Sequence, residues 1–401
     1  MRQIRSVSAA AVVLTALLAL HGCGGGPAPL QGQAAGGAQD FMTDADGNAK
    51  VLITFKAPPG AAERELVRQA GGKVQLTYRI VPGMAASLPP QAIEALQRNP
   101  NVLRVEPDGE CEELGKPQKP PASGEQLPWG VDKIDAELVH PTNKGANVKV
   151  AVLDGGIDYN HEDLNDNYVA GGYDFANNDS DPMDDTGHGT HCAGTIAAED
   201  NDIGVIGVAP EADLYAVKVL SGGGGQWSWL IAGIDWCVAN GMQVASMSLG
   251  GSSAPTLLQE ACDKAYAAGI VLVAAAGNNG SGTDTVGYPA KYDSVIAVAA
   301  TDKRDRRASF SSTGPAVDVA APGVDVLSTI MGNAYGTKSG TSMACPHVTG
   351  TVALLLAANP AMPPAQVRQR LIDTALDLRP AGWDSSTGWG RIQANTAAGA
   401  Q

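Results

Sequence analysis

The sequence predicts an α/β fold for residues 127–401, with three layers and a mainly parallel central sheet, preceded by a small α+β ferredoxin-like unit over residues 49–107. Three observations predict it. Nearly continuous apolar runs at 149–154, 214–220, 244–247 and 270–275 read as strands buried on both faces. Helical stretches at 189–198, 229–239 and 256–268 alternate with them, which gives a parallel sheet covered on both sides. Ahead of a Pro/Gly-rich segment, a strand–helix–strand–strand–helix–strand order is that of a ferredoxin-like sandwich.

In chain order, residues 1–22 read as an export signal, with Arg2 and Arg5 ahead of an apolar stretch, 7–20, that is short for a membrane span. The end of this stretch, Leu20-His21-Gly22-Cys23, resembles a bacterial lipoprotein box. That resemblance implies lipid on Cys23, and a secreted or envelope-bound protein that meets a membrane only through this anchor. Residues 23–48 are a Gly/Ala/Gln/Pro-rich tether. The formal charge of −15 argues against nucleic acid as a partner.

In the small unit, strands are expected at 50–55, 74–80, 84–88 and 102–106, with helices at 61–70, ended by Gly71-Gly72, and 90–98, opened by Pro90. Residues 108–126, with Pro117, Pro120, Pro121 and Gly124, have no periodicity and read as a linker.

Three element ends carry chemistry. The strand Lys149-Val150-Ala151-Val152-Leu153-Asp154 ends in a carboxylate at Gly155-Gly156. Asp185-Thr186-Gly187-His188-Gly189-Thr190-His191-Cys192 puts a histidine between glycines at a helix start, and Ser339-Gly340-Thr341-Ser342-Met343-Ala344 puts a hydroxyl on the first turn of an apolar helix. A helix start offers unpaired N–H groups to a developing oxyanion. A lone serine there could be structural. Asp154, His188 and Ser342 together make a nucleophile, a base and an acid that orients it. Around these three points the sequence resembles the subtilisin-like serine proteases, the subtilase family, over roughly residues 127–397. The G-x-S-x-G elbow of other triad hydrolases is absent around Ser342.

The resemblance implies a serine endopeptidase with Asp154, His188 and Ser342 as its triad, and Asn278 as oxyanion donor. Read without it, Asn278 and Asn279 are both turn formers. The resemblance also implies two backbone edges that hold an extended peptide: Ser248, Leu249, Gly250 and Gly251 on one side, and Gly225, Gln226 and Trp227 on the other, with Trp227 at an outer subsite. The glycine run 222–225 also reads as a plain flexible loop. By the same resemblance, Ala275 and Gly277 are expected to line a first pocket for large apolar side chains, with broad specificity. Residues 49–107 resemble the family's inhibitory propeptide, whose tail lies in the cleft like a product, and maturation is expected to cut between 108 and 126.

Calcium is the cofactor that the resemblance implies. Asp163, Glu199, Asn201, Ile203 and Val205 resemble a tight site, with Glu199, Ile203 and Val205 giving only backbone oxygens, and Glu125 or Gln126 completing it. Asp174, Asn177, Asp179 and Asp181 resemble a second calcium loop; a solvated acidic loop is the plain alternative. His188, His191 and Cys192 have a spacing that suits a metal, but a catalytic base is not free to be a ligand, and packing is expected. His161 is expected at the surface. Cys237 and Cys262, on consecutive helices, are expected to form a disulfide, and Cys192 and Cys345 to be buried thiols. Protein or peptide substrates and the chain's own propeptide are the partners implied, on a monomer. A binding module that has kept the fold is the rival reading, and a triad esterase a third.

Overall fold

The computed structural model describes residues 41–113, 116–118, 124–378 and 380–399. The signal, most of the tether and Cys23 lie outside the described residues. The N-terminal unit runs β1 (Ala49–Phe55), α1 (Ala61–Gln69), β2 (Lys73–Thr77), β3 (Gly83–Leu88), α2 (Pro90–Gln97) and β4 (Val102–Pro107). Its four strands form one antiparallel sheet in the order β2-β3-β1-β4.

Two short strands follow, β5 (Glu110–Glu113) and β6 (Lys116–Gln118), where the sequence predicts an aperiodic linker. Both are added to edges of the larger unit, β5 lying between two partners and β6 beside one. Their order comes from pairing with those edges, and local residue preference carries no sign of it.

The larger unit continues with α3 (Trp129–Lys133), β7 (Lys149–Asp154), β8 (Tyr173–Asp174), α4 (His188–Ala197), β9 (Asp213–Lys218), β10 (Gly224–Gln226), α5 (Trp227–Ala239), β11 (Val244–Met247), β12 (Leu249–Gly250), α6 (Thr256–Ala267) and β13 (Val271–Ala275). It closes with β14 (Val295–Thr301), β15 (Val319–Pro322), β16 (Val326–Ile330), β17 (Ala334–Ser339), α7 (Thr341–Ala358), α8 (Pro364–Thr374) and α9 (Ala394–Ala398). Seven strands form one parallel sheet, β15-β14-β13-β11-β7-β9-β8. Its strands bury both faces, as the apolar runs predict. In β7, Val150 and Val152 join the core under α4 and α7, while Ala151 and Leu153 join the core under α5 and α6. Helix α7 is long and apolar enough to cross a membrane, but 89% of it is buried inside the protein, so it is a core helix.

The N-terminal sheet lies on α5 and α6. Leu52, Tyr78, Val81 and Ala85 share one apolar core with Leu257, Leu258 and Ile231. Polar contacts aim the docking. Glu106 accepts the Thr256 N–H at the start of α6 (3.1 Å), and Asp108 accepts the Ser228 N–H in the first turn of α5 (3.0 Å). Each carboxylate satisfies a helix N–H that has no intrahelical acceptor.

Two expectations fail here. Cys237 and Cys262 are both buried in the α5–α6 core as free thiols, so the disulfide is not made. Sharing one buried core does not by itself give the Cα spacing and Cβ directions that a bond requires. His161 is not at the surface: it is fully buried, its Nε2 3.0 Å from the Ala334 carbonyl and its ring edge-on to Tyr335.

Candidate active site

β7 delivers Asp154 to the end of the sheet where the chain turns at Gly155, and α4 opens with His188 beside it. Close approach requires glycine at position 189, because a Cβ there would sit 2.1 Å from the Gly156 carbonyl oxygen. His188 Nδ1 lies 2.8 Å from Asp154 Oδ1, which also accepts the Gly155 N–H at 2.7 Å. This contact puts the ring proton on Nδ1 and leaves Nε2 as the basic nitrogen, buried and without a hydrogen-bond partner among the described residues. Burial works against protonating the ring, but the Asp154 charge and hydrogen bond outweigh it, and the His188 pKa is raised above its ordinary value.

Ser342 is the second residue of α7 and is fully buried. Its Oγ donates to the Ser248 carbonyl oxygen at 2.8 Å, whereas the triad expectation places it on His188. The residue after Cys345 explains the local geometry. Pro346 has no N–H, so the Ser342 carbonyl four residues earlier loses its helical donor. Ser248 Oγ (2.9 Å) and Cys192 Sγ (3.5 Å) donate to that carbonyl instead. The proline thus joins the nucleophile's turn to α4 and to the 248–251 edge.

Asn278 follows β13 with its Oδ1 held by the Thr341 N–H and Oγ–H, both at 3.0 Å. The side-chain amide is fixed on the residue next to Ser342, and its NH2 is the opposite edge of that group. Gly277 donates to Thr341 Oγ1 at 3.1 Å, so the 275–278 corner and the start of α7 are one unit. Ala275 is buried at the end of β13.

The two expected peptide edges are both strands, and both are occupied by the chain itself. Cys111 pairs with Gly225 and Glu110 with Gln226 on one side, while Glu112 pairs with Gly250 and Glu113 with Leu249 on the other, all antiparallel. Trp227 packs between Gly109 and Gly251, where a Cβ at 251 would meet its ring at 2.8 Å. Downstream, β6 pairs with β17, Lys116 opposite Ser339 and Gln118 opposite Thr337. Residues 110–113 therefore lie on the 225/249 side and residues 116–118 on the β17 side. Leu114 and Gly115, between the two strands, lie outside the described residues.

Asp154, His188 and Cys192 bring one ligating atom each within 4.8 Å of one another. Cys192 is fully buried and its thiol pKa is pushed well up by burial, so it is protonated. His191 and His347 are neutral core residues: His191 Nε2 lies 3.0 Å from the Val326 carbonyl and His347 Nδ1 2.7 Å from that of Met343. Burial pushes their pKa values down to about 3 and about 4.

The two acidic regions differ. Asp163 is buried, its Oδ2 accepts the Val205 N–H at 3.0 Å, and its Oδ1 has no hydrogen-bond partner among the described residues. Burial pushes its pKa up to about 7, with Glu199 and Glu125 adding repulsion. Glu199 uses its carboxylate on Asp166 N and Asn201 Nδ2, Asn201 Oδ1 accepts the Ile203 N–H, and Glu125 binds the amides of Asn201 and Asp202. In the 174–181 loop, both Asp174 oxygens are taken by Ala176 and Asn177, Asp179 caps Asp181, and Asp181 accepts the Tyr159 hydroxyl. No buried oxygen lacks a partner there, and the loop closes on its own amides.

A buried Asp–His pair and a helix-borne serine, on a doubly covered parallel sheet, are the parts a serine hydrolase uses. The subtilase family's sequence profile matches residues 145–390. Subtilisin E of Bacillus subtilis (strain 168) is 48% identical over 338 residues, covering 82% of this chain and 86% of its own length. Subtilisin of Bacillus pumilus is 51% identical over 282 residues, covering 69% of this chain and 100% of its own. The alkaline protease of Shouchella clausii is 41% identical over 360 residues, covering 89% and 87%. The chain belongs to the subtilase family and is a serine endopeptidase.

Proposed function

We propose that this endopeptidase is made as a self-cleaving precursor, with Asp154, His188 and Ser342 as its triad and residues 49–107 as its folding aid and inhibitor. The observation that carries the reading is the path of the chain at 110–118. A segment held as the middle strand between β10 and β12 is bound as an extended substrate is bound, through backbone pairs on both sides. Its continuation on β17 supports a cut between Glu113 and Lys116, narrower than the 108–126 range legible in the sequence.

For reaction, the Ser342 hydroxyl turns from the Ser248 carbonyl to His188 Nε2 and gives up its proton as Oγ attacks the peptide carbonyl carbon. Asp154 holds the imidazolium that forms. Asn278 Nδ2 and the Ser342 N–H stabilise the oxyanion, a side-chain donor of this kind contributing about 3–4 kcal/mol to the transition state. The C–N bond breaks as His188 returns the proton to the leaving amine, and water, deprotonated by His188, then releases the acyl group. The small-residue corner at Ala275 and Gly277 supports apolar preference in the first pocket. Export through residues 1–22, lipid on Cys23 and a monomeric enzyme complete the proposal.

Calcium fits one of the two loops. Asp163 offers a buried carboxylate oxygen without a partner, and Gln126 pairs with Val205 beside it. Asp163, Asn201 and the backbone of Glu199, Ile203 and Val205 would hold the ion, which supplies structural cross-linking of that loop and no step of the chemistry. The 174–181 loop is not assigned an ion.

The test is expression of the full chain and of Ser342→Ala, followed by intact mass and a casein assay. Wild type is expected to cut itself between 113 and 116 and to digest casein, with the variant uncut and its turnover reduced about 10³-fold or more. An uncut wild type that still digests casein would remove the precursor reading.

A further inference from the structure

We propose that Lys338 makes the cleft selective for an acidic side chain at the substrate position filled here by Glu113. The inference rests on the reading of β5 as the path of a substrate. Lys338 lies on β17, its backbone opposite Pro117 of β6. Its side chain turns inward: the residue is only 7% exposed, and among the described residues its ammonium has no hydrogen bond and no ion pair. The stem is buried while the ammonium faces a cavity, and an unpartnered cation held at a cavity wall favours a ligand of opposite charge.

The occupant is visible in the chain itself. Lys338 lines a cavity of about 230 Å3 together with Glu113, Thr186, Gly187 and Gly336, and among the described residues the two charges are the ionisable groups on its wall. Of the three tail glutamates in β5, Glu110 and Glu112 face solvent, while Cys111 and Glu113 turn toward the enzyme, as strand alternation requires. Glu113 Oε2 accepts the Thr186 hydroxyl at 3.0 Å, and Thr186 Oγ1 accepts the His188 N–H at 3.2 Å, so the carboxylate is fixed at the histidine's own turn. Both charges reach the His188 ring, Glu113 strengthening its hold on a proton and Lys338 weakening it. Once the tail departs, Lys338 is the one charge left on the wall. A site with a single fixed cation discriminates against neutral and basic side chains through the repulsive or unpaired charge they leave.

The experiment uses the mature enzyme and two peptides that reproduce residues 108–118, one with Glu and one with Gln at position 113. Wild type is expected to favour the Glu peptide by about 3- to 10-fold in kcat/KM at low salt, mainly through KM, with the preference shrinking at high salt. In Lys338→Met the ratio is expected to fall to one or below, and in Lys338→Arg to persist. The ratio is internal to each variant, so a general loss of activity cancels; Lys338→Gln replaces the Met variant if that fails to fold. An equal ratio in wild type and Lys338→Met overturns the assignment. Casein digestion with neither peptide cut overturns instead the reading of β5 as the substrate path, and the assignment falls with it.

Discussion

The two large sheets of this chain are finished in different ways. The parallel sheet is covered on both faces by helices of its own unit, so Val150 and Leu153, on opposite faces of β7, are both sealed within residues 124–399. The N-terminal sheet covers one face with α1 and α2, through Val51, Ile53 and Phe55 against Val67, Ile93 and Leu96. Its other face, with Leu52, Tyr78 and Ala85, is covered by α5 and α6. One unit carries a complete core, and the other completes its core on a partner. A sheet with one face open buries too little apolar area to offset its ordering entropy at this size.

The sharpest way to break that comparison is to separate the units. Residues 41–113 made alone are expected to lack a cooperative thermal transition, and to gain sheet signal in circular dichroism when the Ser342→Ala peptidase unit is added. A cooperative melt of the isolated unit, unchanged by the peptidase, would show that its second face needs no cover. The peptidase unit, once freed of residues 41–113, is expected to keep its melt.

Inside the larger unit, the Asp163 loop is where a cation sharpens the contrast, since the smaller unit holds no buried orphan carboxylate oxygen among its described residues. Calcium at about 100 times its dissociation constant contributes about 2.7 kcal/mol, or roughly 5–10 °C in Tm for a unit of this size. Thermal scans of the freed peptidase in chelator and in calcium are expected to differ by that amount. Asp163→Asn is expected to abolish the difference, and a variant that still responds would place the ion elsewhere.

Acid separates the units by sign. His191 and His347 have folded pKa values near 3 and near 4, below the unfolded value of about 6.5. Between pH 6.5 and 4 the unfolded chain therefore binds more protons, so the stability they give is full above 6.5 and is lost as pH falls, by about 1.4 kcal/mol per pH unit for each fully developed proton. Asp108 behaves oppositely. Burial in the docked state pushes it up to about 6, so the docked form binds more protons than the free one, and docking strengthens as pH falls through 6. On the Ser342→Ala precursor carrying Asp163→Asn, which removes the larger unit's carboxyl that burial raises to about 7, urea midpoints of the larger unit are expected to drop from pH 7 to pH 5, while affinity between the separated units rises. Asp108→Asn is expected to flatten the second trend, and an affinity that falls with acid would reverse the argument.

Much of this was legible in residue pattern because it is decided locally. The strands at 149–154 and 244–247 have the predicted bounds, and α4, α5 and α6 begin within two residues of expectation. The Asp154–His188 pair was legible because a strand end and a helix start each carry a mark, Gly155-Gly156 and Gly187. What sequence left dark is non-local. β5 and β6 are strands only because other edges pair with them, and the hairpin β16–β17, which builds one wall of the cleft, is short and mixed in polarity. The role of Lys338 was hidden for the same reason, since a lysine in such a strand reads as solvated until the neighbouring elements bury it. Pro346 is intermediate: its missing N–H is local, but the donors that replace it come from residues 192 and 248.

The smallest expected effect tests which contacts between the units carry energy. Arg104 of β4 reaches Glu260 of α6 and also Glu106 of its own strand. Its side chain is 33% exposed and that of Glu260 is 34% exposed, so water and salt reach the pair. An ion pair of this kind contributes about 0.2–1 kcal/mol. Arg104→Ala in the separated N-terminal unit is therefore expected to weaken binding to the Ser342→Ala peptidase by about 2- to 5-fold at low salt, and by less at high salt. Glu106 differs, because its carboxylate holds a backbone N–H of α6 as well as the arginine, and that N–H has no other acceptor when the units part. Combining Arg104→Ala with Glu260→Ala should cost little more than either alone. A loss of fifty-fold or more from Arg104→Ala would mean that the docking is held by its charged rim. A few-fold loss leaves the apolar face of Leu52, Tyr78 and Ala85, with the two helix-start carboxylates, as what joins one unit to the other.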